Sequence, residues 1–129
     1  MNATLSLQFF FDSVMEESLV ISLINNISKL GFESLSFNVE NSVGFIQTDV
    51  YEQGYRQGFL MTWPKDKDVG VSGEELAVRI ANSFSVRVLM ELGPGHHDWI
   101  LVRPGEGPEK VAPNYLDDGV EVAQTVVLP

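Results

Sequence analysis

Both histidines of the chain are adjacent, in Gly93-Pro94-Gly95-His96-His97-Asp98, with a carboxylate directly after them. Imidazole titrates near neutral pH, so this stretch could hold a metal ion or abstract a proton. Strand geometry argues against a shared ligand, because neighbouring residues of a strand point to opposite faces. Neither His-x-His nor HExxH spacing occurs. An enzyme built on His96, His97 and Asp98 would have to recruit Glu91 or Arg103 from the flanking strands. The plainer reading is a hairpin loop with polar tips, and neither a metal nor a cofactor is expected.

A second set could recognise rather than react. Tyr51, Tyr55, Arg56, Trp63 and Tyr115 are of the types that dominate binding energy at protein interfaces. Asp49, Glu52, Asp117 and Asp118 lie beside them in sequence. Carboxylates would steer a basic protein in, and rings would anchor it. The expected partner-binding residues are therefore Asp49, Tyr51, Glu52, Tyr55, Arg56, Tyr115, Asp117 and Asp118. The competing reading makes Trp63 and one tyrosine ordinary core residues with their polar tips satisfied.

Other chemistry has little footing. Gly93-x-Gly95 and Gly105-x-Gly107 lack the lysine and the strand-to-helix setting of a phosphate-cradling loop. No Gly-x-Ser-x-Gly elbow occurs. With 18 acidic residues, some carboxylate pair is expected by chance and carries no information. There are no cysteines, which removes disulfides, thiolate metal sites and thiol nucleophiles.

The net charge of −10 is unevenly spread. From Met1 to Tyr55 seven acids face one base; from Arg56 to Arg103 six face six; from Pro104 to Pro129 five face one. Such a field repels nucleic-acid phosphates and anionic lipid, and attracts basic partners. Solubility is the simplest use of the same charge. No apolar run approaches the ~20 residues that span a bilayer, and the first residues lack a basic n-region. A cytoplasmic location is expected, with no nucleic-acid or membrane partner.

The elements that must position these residues follow from periodicity. With 129 residues, 44% of them apolar and 20% charged, a single folded domain is expected, residues 105–129 forming a packed C-terminal extension. Thr4 to Asp12 reads as a strand ending in Phe9, Phe10 and Phe11. Val14 to Leu30 reads as a helix, with Leu19, Val20, Leu23, Ile24, Ile27 and Leu30 on one stripe, a Ser13/Glu16 capping box and Gly31 as its left-handed stop. Glu33 to Glu40 and Val43 to Val50 read as a hairpin around Asn41-Ser42. Tyr51 to Gly58 is a polar connection, and Phe59 to Trp63 a strand closed by Pro64. Ser72 and Glu75 open a second helix that runs to about Phe84. Ser85 to Leu92 and Asp98 to Arg103 alternate as strands. Val120 and Val122 suggest one more, after a turn at Tyr115 to Gly119.

The expected class is α+β, with two helices on one face of a mainly antiparallel sheet. The order is βαββ-βαββ, and the arrangement ferredoxin-like with additional strands. In size, acidity and lack of cysteine the chain resembles the small immunity proteins that bacteria pair with secreted nuclease-type toxins. The resemblance is one of profile; no motif carries it, and no residue role comes with it. It implies an inhibitor that occludes a basic toxin with carboxylates such as Asp49, Glu52, Asp117 and Asp118. The alternatives are a structural or regulatory homodimer without catalysis, and a small enzyme or ligand-binding protein working through His96, His97 and Asp98.

Overall fold

The computed structural model describes residues 4–34, 44–91, 99–116 and 119–122, with 114–116 and 121 described in backbone alone. β1 (Thr4–Phe11) runs through the middle of a seven-stranded mixed sheet. Its neighbours are β4 (Gln57–Pro64) on one side and β5 (Val88–Glu91) on the other, both antiparallel to it. The Phe run explains this central place. Phe9 and Phe11 are fully buried on one face, while Phe10 points to the other face, as period-two alternation requires.

Outward from β4 lie β3 (Gly44–Val50) and the short β2 (Phe32–Ser34). Outward from β5 lie β6 (Trp99–Val102) and β7 (Glu109–Val111). A separate antiparallel pair, β8 (Pro113–Leu116) and β9 (Gly119–Val122), closes the described chain. Since β4 and β5 are both antiparallel to β1, they run parallel to each other, and the helix between them crosses over β1.

That helix, α2 (Gly73–Phe84), starts where the sequence places it. The Ser72 hydroxyl accepts the Glu75 N–H at 3.1 Å, and Leu76, Ala77, Ile80 and Ala81 form its buried stripe. It ends on Ser85 in the left-handed region, at φ 54°.

The first helix differs from the expectation at both ends. α1 spans Glu17–Ile27, not Val14 to Leu30, and the Ser13/Glu16 box does not form. Instead, Met15 gives its N–H to Gln57 Oε1 at 2.8 Å and accepts Gln57 Nε2 on its carbonyl at 2.9 Å. Gln57 is 2% exposed. Leaving a buried amide unpaired costs ~1–3 kcal/mol per group, more than the ~1 kcal/mol that a capping hydroxyl supplies. The buried amide wins, and the helix starts later. At the other end Ser28, not Gly31, is the C-cap, in extended geometry, and Lys29 N–H bonds the Val69 carbonyl at 2.8 Å. Gly31 has no positive φ.

The expected hairpin is also corrected. β2 and β3 pair in parallel, Phe32 with Gly44 and Ser34 with Ile46. A strand–helix–strand crossover returns the chain in the direction of β1, which β3 shares. The Phe32 ring occupies the place a side chain would take at Gly44, where a Cβ would fall 2.3 Å from it. The inward positions Leu35, Phe37 and Val39 and the turn at Asn41-Ser42 lie outside the described residues.

The sheet buries both faces. Under the helices, Phe9, Phe11, Phe59, Met61, Val88, Met90, Ile100 and Val102 pack against Val20, Ile24, Leu76 and Ile80. On the opposite face Tyr55, Leu89, Trp99, Leu101 and Val120 form a second, smaller cluster. β9 thus covers part of the face away from the helices.

Candidate functional site

Of the residues singled out for partner binding, Asp49, Tyr51, Glu52, Tyr55 and Arg56 lie at one end of the sheet, where β3 turns into β4. Tyr51 N–H donates to the Arg56 carbonyl at 2.7 Å, and Arg56 Nε donates back to the Tyr51 carbonyl at 3.0 Å. These two bonds close the six-residue connection, which turns through Gly54 at φ 66°. Glu52 and Arg56 are exposed on it, and Asp49 is exposed near the end of β3.

β9 is pressed against this connection. Tyr55 N–H donates to the Val120 carbonyl at 2.8 Å. Gly119, at φ 149°, sits so close that a Cβ there would be 2.2 Å from the Gln53 carbonyl oxygen. The backbone of Tyr115 pairs with Val120 across the β8–β9 ladder, which brings β8 into the same neighbourhood. Asp117 and Asp118 lie outside the described residues.

The rings follow the competing reading, in which Trp63 and one tyrosine are core residues. Tyr55 is 7% exposed and belongs to the second core, so it holds the connection in place and does not face a partner. Trp63 is buried under the helices, edge-on to Phe32 with centroids 6.1 Å apart. Tyr51 is half-buried, its ring lying over Gly58, where a Cβ would come within 2.9 Å of it. Of the expected aromatic anchors with described side chains, Tyr51 alone keeps substantial exposure.

Two residues outside the expected set complete the site. Phe10 and Trp99 stack with centroids 5.6 Å apart and planes at 16°, and Phe10 lies 6.0 Å from the Tyr51 ring. With Gly119 and Val120 these rings line a cavity of about 200 Å³. The signal was available: alternation puts Phe10 opposite Phe9 and Phe11, and Trp99 with Leu101 opposite Ile100 and Val102. What was missing was that β9 would roof this face.

The same end of the sheet carries further acids. Asp12 follows β1, and its Oδ1 accepts the Arg87 N–H at 3.0 Å. Glu16 caps α1, and Glu17 accepts a hydrogen bond from the Thr48 hydroxyl of β3. Val14 is 53% and Val50 59% exposed. They belong together because Val50 pairs with Gln57, which holds Met15. Asp12, Glu16, Glu17, Asp49 and Glu52 thus lie at the same end of the sheet as Arg56, Arg87 and the two exposed valines, with Asp49 projecting to the face opposite Val50.

His96, His97 and Asp98 lie outside the described residues. Among the described residues no group of three or more His, Asp or Glu side chains is arranged to hold a metal ion. Arg103, a possible recruit for a histidine site, is engaged by Glu109, whose hydrogen bond raises the guanidinium pKa above its ordinary value. No helix among the described residues is long and apolar enough to cross a membrane. No family model matches the chain, and neither does any curated protein or solved structure.

Proposed function

We propose that this chain is a non-catalytic protein-binding domain that receives a basic protein on the β3–β4 end of its sheet. The observation that supports the reading is exposure at this end of the sheet: Val14 and Val50 are 53% and 59% exposed, and Asp12, Glu16 and Asp49, close to them in the chain, are exposed too. Apolar contact would supply affinity at the centre, and the surrounding charge would speed the encounter. The acidic profile suggests an immunity-type inhibitor of a nuclease-type toxin, acting in the cytoplasm by occlusion, with carboxylates standing where the toxin's substrate phosphates would lie. On architecture, the β4–α2–β5 crossover split around β1 is the element we read as ferredoxin-like.

The homodimer alternative is less favoured because both sheet edges are blunted. The backbone N–H and carbonyl of Phe32 in β2 are taken by the Asn25 side chain, at 2.8 and 3.0 Å. β7 is three residues long, carries Glu109 and Lys110, and is flanked by Pro108 and Pro113. Short, charged, proline-flanked edges resist strand addition.

The test is co-expression with the basic protein encoded beside this chain, followed by co-elution and stopped-flow association at low salt and at ~1 M salt. A stable complex whose association slows steeply with salt, and which the Asp49→Lys/Glu52→Lys double variant loses, supports the reading. A chain that elutes alone, or as its own dimer, sinks it.

A further inference from the structure

The cavity beside Asp49 carries a more specific reading, one that rests on the basic-partner proposal and names the group to be gripped. We propose that the space between Phe10, Tyr51, Trp99 and β9 receives one compact, weakly hydrated cation: the head of an arginine side chain or an alkylated ammonium.

Three observations converge. First, three of the described lining residues are aromatic, with the Phe10 ring stacked 5.6 Å from Trp99 and 6.0 Å from Tyr51. Ring faces carry partial negative charge and attract cations, most strongly at tryptophan and tyrosine. Second, the size is selective. At about 200 Å³ the cavity lies below the ~300 Å³ where sites for drug-sized ligands begin, so it admits a head group only. Third, the approach is acidic. Asp49 is the cross-strand neighbour of Gly58, over which the Tyr51 ring lies, and Glu52 follows Tyr51 in the chain.

The cavity is also held open by backbone. Gly58 leaves the place that the Tyr51 ring fills, and Gly119 lets β9 seat on the Gln53 carbonyl. The Tyr55–Val120 hydrogen bond ties the roof to the wall at 2.8 Å. A wall fixed before the ligand arrives needs no ordering on binding. The larger groove between α1 and β2, about 450 Å³, mixes Glu17 and Glu33 with Ile21, Phe32 and short polar side chains and does not select one occupant.

The experiment is an NMR titration of the full chain, following the Trp99 indole and Tyr51 ring signals. The probes are ethylguanidinium, choline, and the neutral alcohol in which carbon replaces the choline nitrogen. Saturable shifts are expected with at least one cation, and binding of the alcohol at least about tenfold weaker. Tyr51→Leu should weaken the cation about tenfold, and Tyr51→Phe should leave it within about twofold. Preference for ethylguanidinium assigns the group to an arginine, and preference for choline to an alkylated ammonium. Equal binding of alcohol and choline, or no saturable shift, overturns the inference. The two readings fail separately. A responsive cavity in a chain that captures no basic protein sinks the partner alone; a captured protein with a silent cavity sinks the cation site alone.

Discussion

The Gln57 side-chain amide pairs with the backbone of Met15 as a neighbouring strand would, giving one hydrogen bond and taking one, at 2.9 and 2.8 Å. The bonds join residues 42 apart in sequence and fix where α1 begins. Asn25 does the same for Phe32 beyond the other end of α1. Two carboxamides thus position the helix at its entrance and its exit.

The Gln57 pairing predicts a large and pH-dependent effect. Gln57→Ala strands the N–H and the carbonyl of Met15 and opens a buried gap, so stability should fall by about 3 kcal/mol. Gln57→Glu should depend on pH. Burial disfavours the charged form, so the introduced carboxyl titrates above its usual ~4.3. Protonated, it can both donate to and accept from Met15. The variant should therefore approach the parent below pH ~4, and lose stability as pH rises through its raised pKa. Urea titrations at several pH values check this. A parallel pH profile for parent and variant would refute it.

The two serine-started helices predict opposite outcomes from one sequence pattern. Ser72→Ala removes a hydroxyl that accepts the Glu75 N–H at 3.1 Å, and should cost ~1 kcal/mol. Ser13→Ala should cost less than ~0.5 kcal/mol, because Ser13 caps nothing. Thermal melts of both variants decide it.

Those serines mark how far the sequence could be read. Ser72/Glu75 and Ser13/Glu16 look alike locally. What separates them is Gln57, buried by strand pairing far along the chain, and no local window shows that burial. Alternation was legible where both faces are buried: Val86, Val88 and Met90 fall in one core and Leu89 in the other. The parallel β2–β3 pairing was not legible, because a hairpin and a crossover give the same alternation. At the candidate site Asp49, Tyr51, Glu52 and Arg56 are close in sequence and stay close at one end of the sheet. The sequence misread Tyr55 as an exposed anchor, since a tyrosine in a polar, glycine-punctuated stretch gives no sign that β9 will cover it. Phe10 and Trp99 carry no mark of the site in the sequence, because their place in it depends on that same cover.

The seating of β9 gives a prediction that probes the site through its backbone. Gly119 has φ 149°, and a Cβ there would lie 2.2 Å from the Gln53 carbonyl oxygen, a rigid backbone atom. Gly119→Ala must therefore push β9 off the 51–56 connection and loosen the Tyr55–Val120 bond. Loss of the roof exposes Trp99 and Tyr55, whereas Trp63, under the helices, keeps its surroundings. The expected result is a red-shifted, more quenchable tryptophan emission, with a loss of about 2 kcal/mol in stability. Gly107→Ala is the control, since a Cβ at that position meets nothing within 4 Å. It should be neutral, or stabilising by ~0.4–1 kcal/mol through the unfolded chain. Emission unchanged in Gly119→Ala would mean that β9 is not what covers Trp99.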